Sequence, residues 1–166
     1  MKVISEGIKN GLILDKYGKR GPLDSYDIPT VSLPLEIKDA PKKTKSFVVI
    51  IEDKDAIPVS RGFSWIHWVA ANITTKNIKE NFSRDNKDIK QGLNSWISIQ
   101  GGNIPESACK YYGGMTPPDK AHTYEIHVYA VDCLFNIENG YFLNELWNMM
   151  DGHILDSYTL KGKYES

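Results

Sequence analysis

Runs of apolar and alternating side chains divide the chain into predicted strands. Five successive apolar residues at 47–51 predict a strand that is covered on both faces. Residues 64–72 carry bulky side chains on both faces, and residues 122–131 alternate strictly, which is typical of strands in a sheet. Residues 31–37 also have a period of two, although Pro34 restricts this segment to an edge strand or a bulge. Each of these segments fixes which side chains share a face.

The remaining segments add shorter elements and one helix. We predict a brief strand at 12–14, a long surface excursion at 74–95 and a final strand within 153–164. A helix is predicted at 143–150, because its apolar residues recur at helical spacing and Gly152 provides a left-handed stop. Three aromatic residues are predicted to lie in the core: Trp96, Phe142 and Trp147.

Many strands against one short helix near the carboxy terminus predict a mainly β protein. The expected architecture is an antiparallel-rich sandwich of two sheets, with a layered α/β domain as the alternative. At 166 residues the chain is expected to form a single domain, residues 1–166.

Composition excludes several classes of function. The chain has 20 basic and 21 acidic residues, so nothing in its charge favours nucleic acid as a partner. Cys109 and Cys133 are too few for a disulfide framework and do not form a C-x-x-C pair. Glu6 interrupts the amino terminus before a signal-peptide core could form, and no apolar run approaches the ~20 residues of a transmembrane segment. We therefore expect a cytoplasmic protein without a transmembrane segment.

The candidate site residues lie at or near the ends of the predicted strands. If these ends converge, imidazole and phenol donors would meet carboxylates in one small polar pocket. A neighbouring carboxylate favours the imidazolium form of histidine, which suits an anion such as phosphate or a phosphomonoester. The predicted ligand-binding residues are Asp53, Asp55, Trp65, His67, Thr116, His122 and Tyr124.

The segment 113–118 contains two glycines and two prolines next to the last of these strands. Such backbone allows close approach to a ligand, but a plain tight turn explains the same residues equally well.

Two other chemistries remain open from the residues alone. A hydrolase could use Asp53 or Asp55 with His67 as acid and base, although no G-x-S-x-G or comparable motif supplies a nucleophile. A metal site could combine His67, His122 and an aspartate, although the paired histidine spacing that usually announces one is missing. We expect a binding protein rather than an enzyme, with no metal and no cofactor.

Three motifs together resemble the phosphatidylethanolamine-binding protein family, in particular its bacterial and archaeal branch related to Raf-kinase inhibitor proteins. Residues 53–58 (DKDAIP) resemble the family's D-P-D-A-P, and residues 65–68 (WIHW) its W-x-H-W. Residues 112–124 resemble its Y-G-G-P-x-P-P-x-G-x-H-R-Y. The likeness extends to the flanking segments 31–35 and 151–155, so it covers nearly the whole chain.

The resemblance implies a β-sandwich with a pocket for phosphate, phosphorylethanolamine-like or phospholipid head groups. It assigns roles in that pocket to Asp53, His67, His122 and Tyr124. It also implies regulation of a protein partner, a kinase or a protease, and an inhibitor-like interaction protein is the alternative function. A homodimer is compatible with the sequence.

The chain departs from the family pattern at four positions: Lys54, Ile57, Met115 and Thr123. We expect a different pocket mouth, with Lys54 supplying charge at the rim and Thr123 changing loop anchoring more than anion contact. No helix is predicted after residue 164, whereas the family's animal members end in one. From the resemblance we therefore expect the family's pocket in this chain, but not its kinase regulation.

Overall fold

A computed structural model describes residues 1–166 as ten strands in two sheets. In chain order the strands are β1 (Lys2–Ile4), β2 (Ile8–Lys9), β3 (Leu12–Ile13), β4 (Leu35–Lys38), β5 (Ser46–Asp53), β6 (Trp65–Ile73), β7 (Asn77–Ile78), β8 (Lys90–Gln91), β9 (His122–Val131) and β10 (Ile154–Tyr164). The small sheet has the order β1-β4-β7, and the large one β2-β3-β10-β9-β5-β6-β8. All pairings are antiparallel except β3 with β10. The predicted mainly β, two-sheet architecture is confirmed.

The helices are few and short: α1 (Ile57–Ser60), α2 (Phe82–Asp85), α3 (Glu106–Cys109) and α4 (Leu143–Met150). The predicted helix is α4, which begins where the Glu145 carboxylate accepts the Phe142 amide hydrogen bond at 2.7 Å. Gly152 follows with a φ of +77°, the left-handed conformation that its position predicted. The other three helices have four residues each, too few for a helical period to appear in the sequence.

Strand β5 lies inside the large sheet, between β9 and β6, and is buried on both faces, as its apolar run predicted. Phe47, Val49 and Ile51 belong to the main core, which also contains side chains of the small sheet. Val48 and Ile50 lie on the other face, in a second core that includes residues of α4. Because neighbouring side chains of a strand point to opposite faces, Asp53 continues the inner face of this strand.

Three expectations for the rest of the chain need correction. The strand expected at 31–37 begins only at Leu35, directly after Pro34, because proline lacks the amide hydrogen that a ladder requires. Segment 74–95 is not only a surface excursion, since it contains β7, α2 and β8. Phe142 and Trp147 are 53% and 40% exposed and do not lie in the core.

None of the helices combines the length and the apolar character that a bilayer crossing requires.

Candidate functional site

The ends of three interior strands of the large sheet surround a cavity of about 260 Å³. Asp53, the last residue of β5, pairs with Trp65 of β6 on one side and with Tyr124 of β9 on the other. Antiparallel pairing thus places the end of β5 beside the starts of both neighbours. The lining consists of Asp53, Ala56, Val59, Ser60, Trp65, His67, Trp96, Gln100, Gly101, Thr116, Pro118, His122 and Tyr124.

His122 is held between two carboxylates. Its Nδ1 lies 2.7 Å from Oδ2 of Asp53, and its Nε2 lies 2.8 Å from Oδ1 of Asp119. Burial of the ring opposes a positive charge, but the hydrogen bonds and charges of Asp53 and Asp119 outweigh it and raise the His122 pKa. Asp53 is fixed in turn, because its Oδ1 accepts the Ala56 amide hydrogen bond at 3.1 Å. The pairing favours an imidazolium at the wall of the cavity.

His67, unlike His122, favours the neutral form of its ring. Its Nδ1 donates to the carbonyl oxygens of Gly113 and Gly114, at 2.8 and 3.1 Å. A carbonyl oxygen only accepts hydrogen bonds, so Nδ1 carries the proton and Nε2 is the remaining nitrogen. Burial lowers the His67 pKa, although Asp53 and the two carbonyls favour the charged form. The neutral ring therefore offers Nε2 as a hydrogen-bond acceptor.

Two buried donors have no partner within the protein. The Tyr124 side chain is fully buried and its hydroxyl lies close to Asp53, but neither that hydroxyl nor Nε1 of Trp65 forms a hydrogen bond of good geometry. Burial, with the nearby Asp53 charge, raises the Tyr124 pKa, so the hydroxyl keeps its proton. A buried donor without an acceptor costs about 1–3 kcal/mol. A ligand with acceptor atoms in the cavity would remove this cost.

Close packing explains the two glycines beside His67. A Cβ atom on Gly113 would lie 2.5 Å from the Trp96 ring, and one on Gly114 would lie 2.2 Å from the Tyr17 carbonyl oxygen. Only glycine lets the backbone approach closely enough to place both carbonyls on His67. The segment is thus more than a plain turn, because it fixes the tautomer of a cavity residue.

Six of the seven predicted ligand-binding residues line the cavity, and the seventh does not. Asp53, Trp65, His67, Thr116, His122 and Tyr124 are the six. Asp55 lies outside the lining, where its carboxylate accepts the Thr123 amide hydrogen bond at 2.8 Å. The chain leaves the extended conformation after Asp53, so the alternation that relates these two aspartates ends there. Asp55 anchors the start of β9 instead.

Other residues of the site were missed or misplaced. Trp96, predicted to lie in the core, forms a wall of the cavity and packs edge-on against His67 with ring centroids 5.3 Å apart. Asp119 contacts His122 from a loop, where the alternation of a strand gives no prediction of side-chain direction. The one sequence signal for this contact is that Asp119 lies three residues before His122. Lys54, expected at the rim, binds Glu125 and Glu52 instead.

Comparison with known proteins gives relatives that match most of the chain. The family model for phosphatidylethanolamine-binding protein matches residues 4–165. The uncharacterized protein YxkA of Bacillus subtilis is 41% identical over 152 residues, which are 88% of this chain and 89% of YxkA. A UPF0098 protein of Chlamydia trachomatis is 34% identical over 137 residues, 81% of this chain and 83% of that protein.

Solved structures resemble the fold over almost its whole length. The phosphatidylethanolamine-binding protein homolog CT736 of Chlamydia trachomatis has a TM-score of 0.80 and 30% identity, covering 99% of this chain and 96% of its own. YbcL of E. coli, described as a member of the mammalian PEBP family, has a TM-score of 0.76, with coverages of 99% and 98%. At 22% identity, the likeness to YbcL concerns the fold alone.

Proposed function

This chain belongs to the phosphatidylethanolamine-binding protein family, and from its cavity we propose that it binds phosphate or a small phosphomonoester without transforming it. The main support is the fully buried His122 ring, which carboxylates on both nitrogens hold in the charged form. Near it lie Tyr124 and Trp65, whose donors have no acceptor in the protein. Phosphate oxygens are strong acceptors and match this arrangement.

The two histidines favour a phosphate that keeps one proton. No lysine or arginine lines the cavity, so His122 is its only cationic side chain. His67 offers an acceptor at Nε2, which a P–OH group satisfies and a fully ionised phosphate oxygen does not. A monoanion would thus donate to His67 and accept from Tyr124, Trp65 and His122. To reach Nε2 of His122, it must displace the half-exposed Asp119 carboxylate.

The volume and the apolar wall of the cavity limit the ligand to a head group. At about 260 Å³ it lies below the about 300–1,000 Å³ that are usual for drug-sized ligands. Trp65 and Trp96 meet edge to face with centroids 5.4 Å apart, and Phe63 stacks on Trp65. The Trp65 and Trp96 rings form a surface for the carbon atoms of a short ester group, such as ethanolamine.

The hydrogen bonds of the cavity favour binding over hydrolysis. Ser60 and Thr116 carry the hydroxyl groups of the lining, and that of Ser60 donates to the Phe63 carbonyl oxygen and accepts the Phe63 amide. The hydrogen bonds of His67 and His122 go to neither hydroxyl, so the pair that activates a nucleophilic hydroxyl is not assembled. His67 holds its Nδ1 proton on two carbonyls, and His122 is paired at both nitrogens.

We test the proposal by calorimetric titration with inorganic phosphate and phosphorylethanolamine at pH 6.0 and 8.0. Binding should be saturable, and phosphorylethanolamine should bind more tightly at the lower pH, because rising pH disfavours the charged form of His122 and removes the last proton of a phosphomonoester, whose second pKa is about 6. Inorganic phosphate keeps a proton across this range and should show the smaller pH dependence. Ethanolamine, which lacks phosphate, is the control and should not bind. Equal affinity for phosphorylethanolamine at both pH values, or equal binding of ethanolamine, would contradict the proposed recognition.

Asp119→Asn should strengthen phosphate binding by about threefold to tenfold, the effect of removing one partly screened negative charge next to the anion. The asparagine no longer repels the ligand, and Asp53, which remains paired with Nδ1 of His122, still favours the charged ring at pH 6.0. Asp88→Asn is the matched control, since Asp88 is exposed and makes no ion pair, yet its replacement changes the net charge equally. Titrations of both variants at pH 6.0 measure the effect; equal gains would assign it to overall charge.

A further inference from the structure

A second group of polar side chains lies at the opposite end of β9 from the cavity. There Asp132 and Cys133 follow the strand, and His153 precedes β10. Nδ1 of His153 lies 2.8 Å from Oδ1 of Asp132, and one ligand atom from each of the three residues lies within 4.8 Å of the other two. With ten residues in β9, the two ends are about 30 Å apart. We name these three residues the thiol cluster.

We propose that the thiol cluster binds one divalent transition-metal ion of the zinc type. Its thiolate, imidazole and carboxylate are the donors that zinc prefers, at about 2.3 Å for sulfur and about 2.0–2.2 Å for nitrogen and oxygen. Three protein ligands leave a fourth tetrahedral position for water. The partial exposure of Asp132 and His153, at 42% and 47%, lets an ion enter from solvent.

The backbone around the thiol cluster is already fixed. The Asp132 amide donates to the His153 carbonyl oxygen at 3.2 Å, which ties the two segments together. Ser46 donates to the Cys133 carbonyl oxygen at 2.6 Å, so the cysteine is also anchored to β5. The ring of Phe135 packs edge-on against His153. Metal binding would therefore rotate side chains on a backbone that is already tied together.

The charges around Cys133 favour binding of a cation over a role of the thiol as a nucleophile. Burial and the Asp132 charge raise the Cys133 pKa, and Lys45 only partly opposes them, so the free thiol is a poor nucleophile. With a thiolate formed on the metal, Cys133 and Asp132 supply two negative charges against the single positive charge of Lys45. A divalent ion compensates this excess.

In a second group of potential metal ligands, the charges are already compensated by neighbouring side chains. Glu52, Glu125 and His127 also lie within 4.8 Å of one another. Here Lys161 and Lys54 both pair with Glu125, and the hydrogen bond from His127 is the main cause that lowers the Glu52 pKa to about 2. These charges are already compensated, so we assign this group to an ion-pair network and use it as a control.

The test is titration of the metal-free protein with Co²⁺, followed by competition with Zn²⁺. One Co²⁺ per chain should bind and give a thiolate-to-metal charge-transfer absorption, which Zn²⁺ abolishes. Loss of an outer-shell partner already costs about 10- to 100-fold in metal affinity, so Cys133→Ser and His153→Ala should each cost about 100-fold or more. His127→Ala should bind like the wild type. A spectrum without thiolate absorption, or one that persists in Cys133→Ser, would overturn the proposal.

A measurement on the unmodified protein avoids dependence on variant folding. Zn²⁺ should slow alkylation of Cys133 by iodoacetamide at least about tenfold, because metal coordination removes the free thiolate. Cys109 is fully buried and serves as the internal reference in the same digest. Equal alkylation of Cys133 with and without Zn²⁺ would rule out the site, whatever the variants do.

Discussion

His122→Ala should reduce the affinity for phosphate by about 10- to 150-fold, the equivalent of about 1.5–3 kcal/mol for a lost charged hydrogen bond. The substitution removes the only cationic side chain of the cavity and leaves the Asp53 carboxylate facing the anion. Calorimetric titration with inorganic phosphate at pH 6.0 measures the loss.

The matched control is His127→Ala, on the same strand but on its opposite face. That variant should bind phosphate like the wild type. Because His122→Ala also leaves a buried carboxylate unpaired, His122→Gln provides a second variant that retains a donor for Asp53 without the charge. Wild-type affinity in folded His122→Gln would show that the imidazolium does not bind the anion.

Gln91→Leu should lower the free energy of unfolding by about 2–6 kcal/mol, since it leaves two buried donors without their acceptor at about 1–3 kcal/mol each. Oε1 of Gln91 accepts from Nε1 of Trp68 at 2.8 Å and from the Ser83 hydroxyl at 2.6 Å. The Ser83 hydroxyl also accepts the Tyr112 amide, so the same network holds the start of the segment that carries the His67 contacts. Denaturant unfolding monitored by tryptophan fluorescence measures the change.

Gln100→Leu is the matched control for this substitution. Gln100 is exposed and forms no hydrogen bond, so the same exchange should change the free energy of unfolding by less than about 0.5 kcal/mol. Similar changes in the free energy of unfolding for the two variants would indicate that the hydrogen bonds of Gln91 contribute no more to stability than a surface glutamine does.

The core of the site could be predicted because its residues lie on regular strands. Alternation places Asp53 on the inner face of β5 and places His122 and Tyr124 together on β9. Antiparallel pairing then brings these strand ends together without any contribution from the loops. A resemblance over three motifs identified the same residues independently.

The errors occurred where regular structure ends. Asp55 is predicted to line the pocket on the supposition that the loop after β5 converges with the neighbouring strand ends, but its carboxylate accepts the Thr123 amide instead. Asp119 contacts His122 from a loop, and Trp96 reaches the cavity from a single 3-10 turn; the directions of such segments depend on tertiary contacts rather than on a period. Trp147 fits the apolar pattern of α4, yet it stays partly exposed and packs against Tyr129, because an eight-residue helix buries a narrow stripe.

The most direct test of phosphate binding in the cavity is to follow the four histidine side chains by NMR during a phosphate titration of the metal-free protein. His67 and His122 should shift together and saturate, while His127 and His153 stay unchanged. Nδ1 of His67 should remain protonated throughout, since it keeps its carbonyl partners. Unchanged His67 and His122 resonances at saturating phosphate would contradict the account.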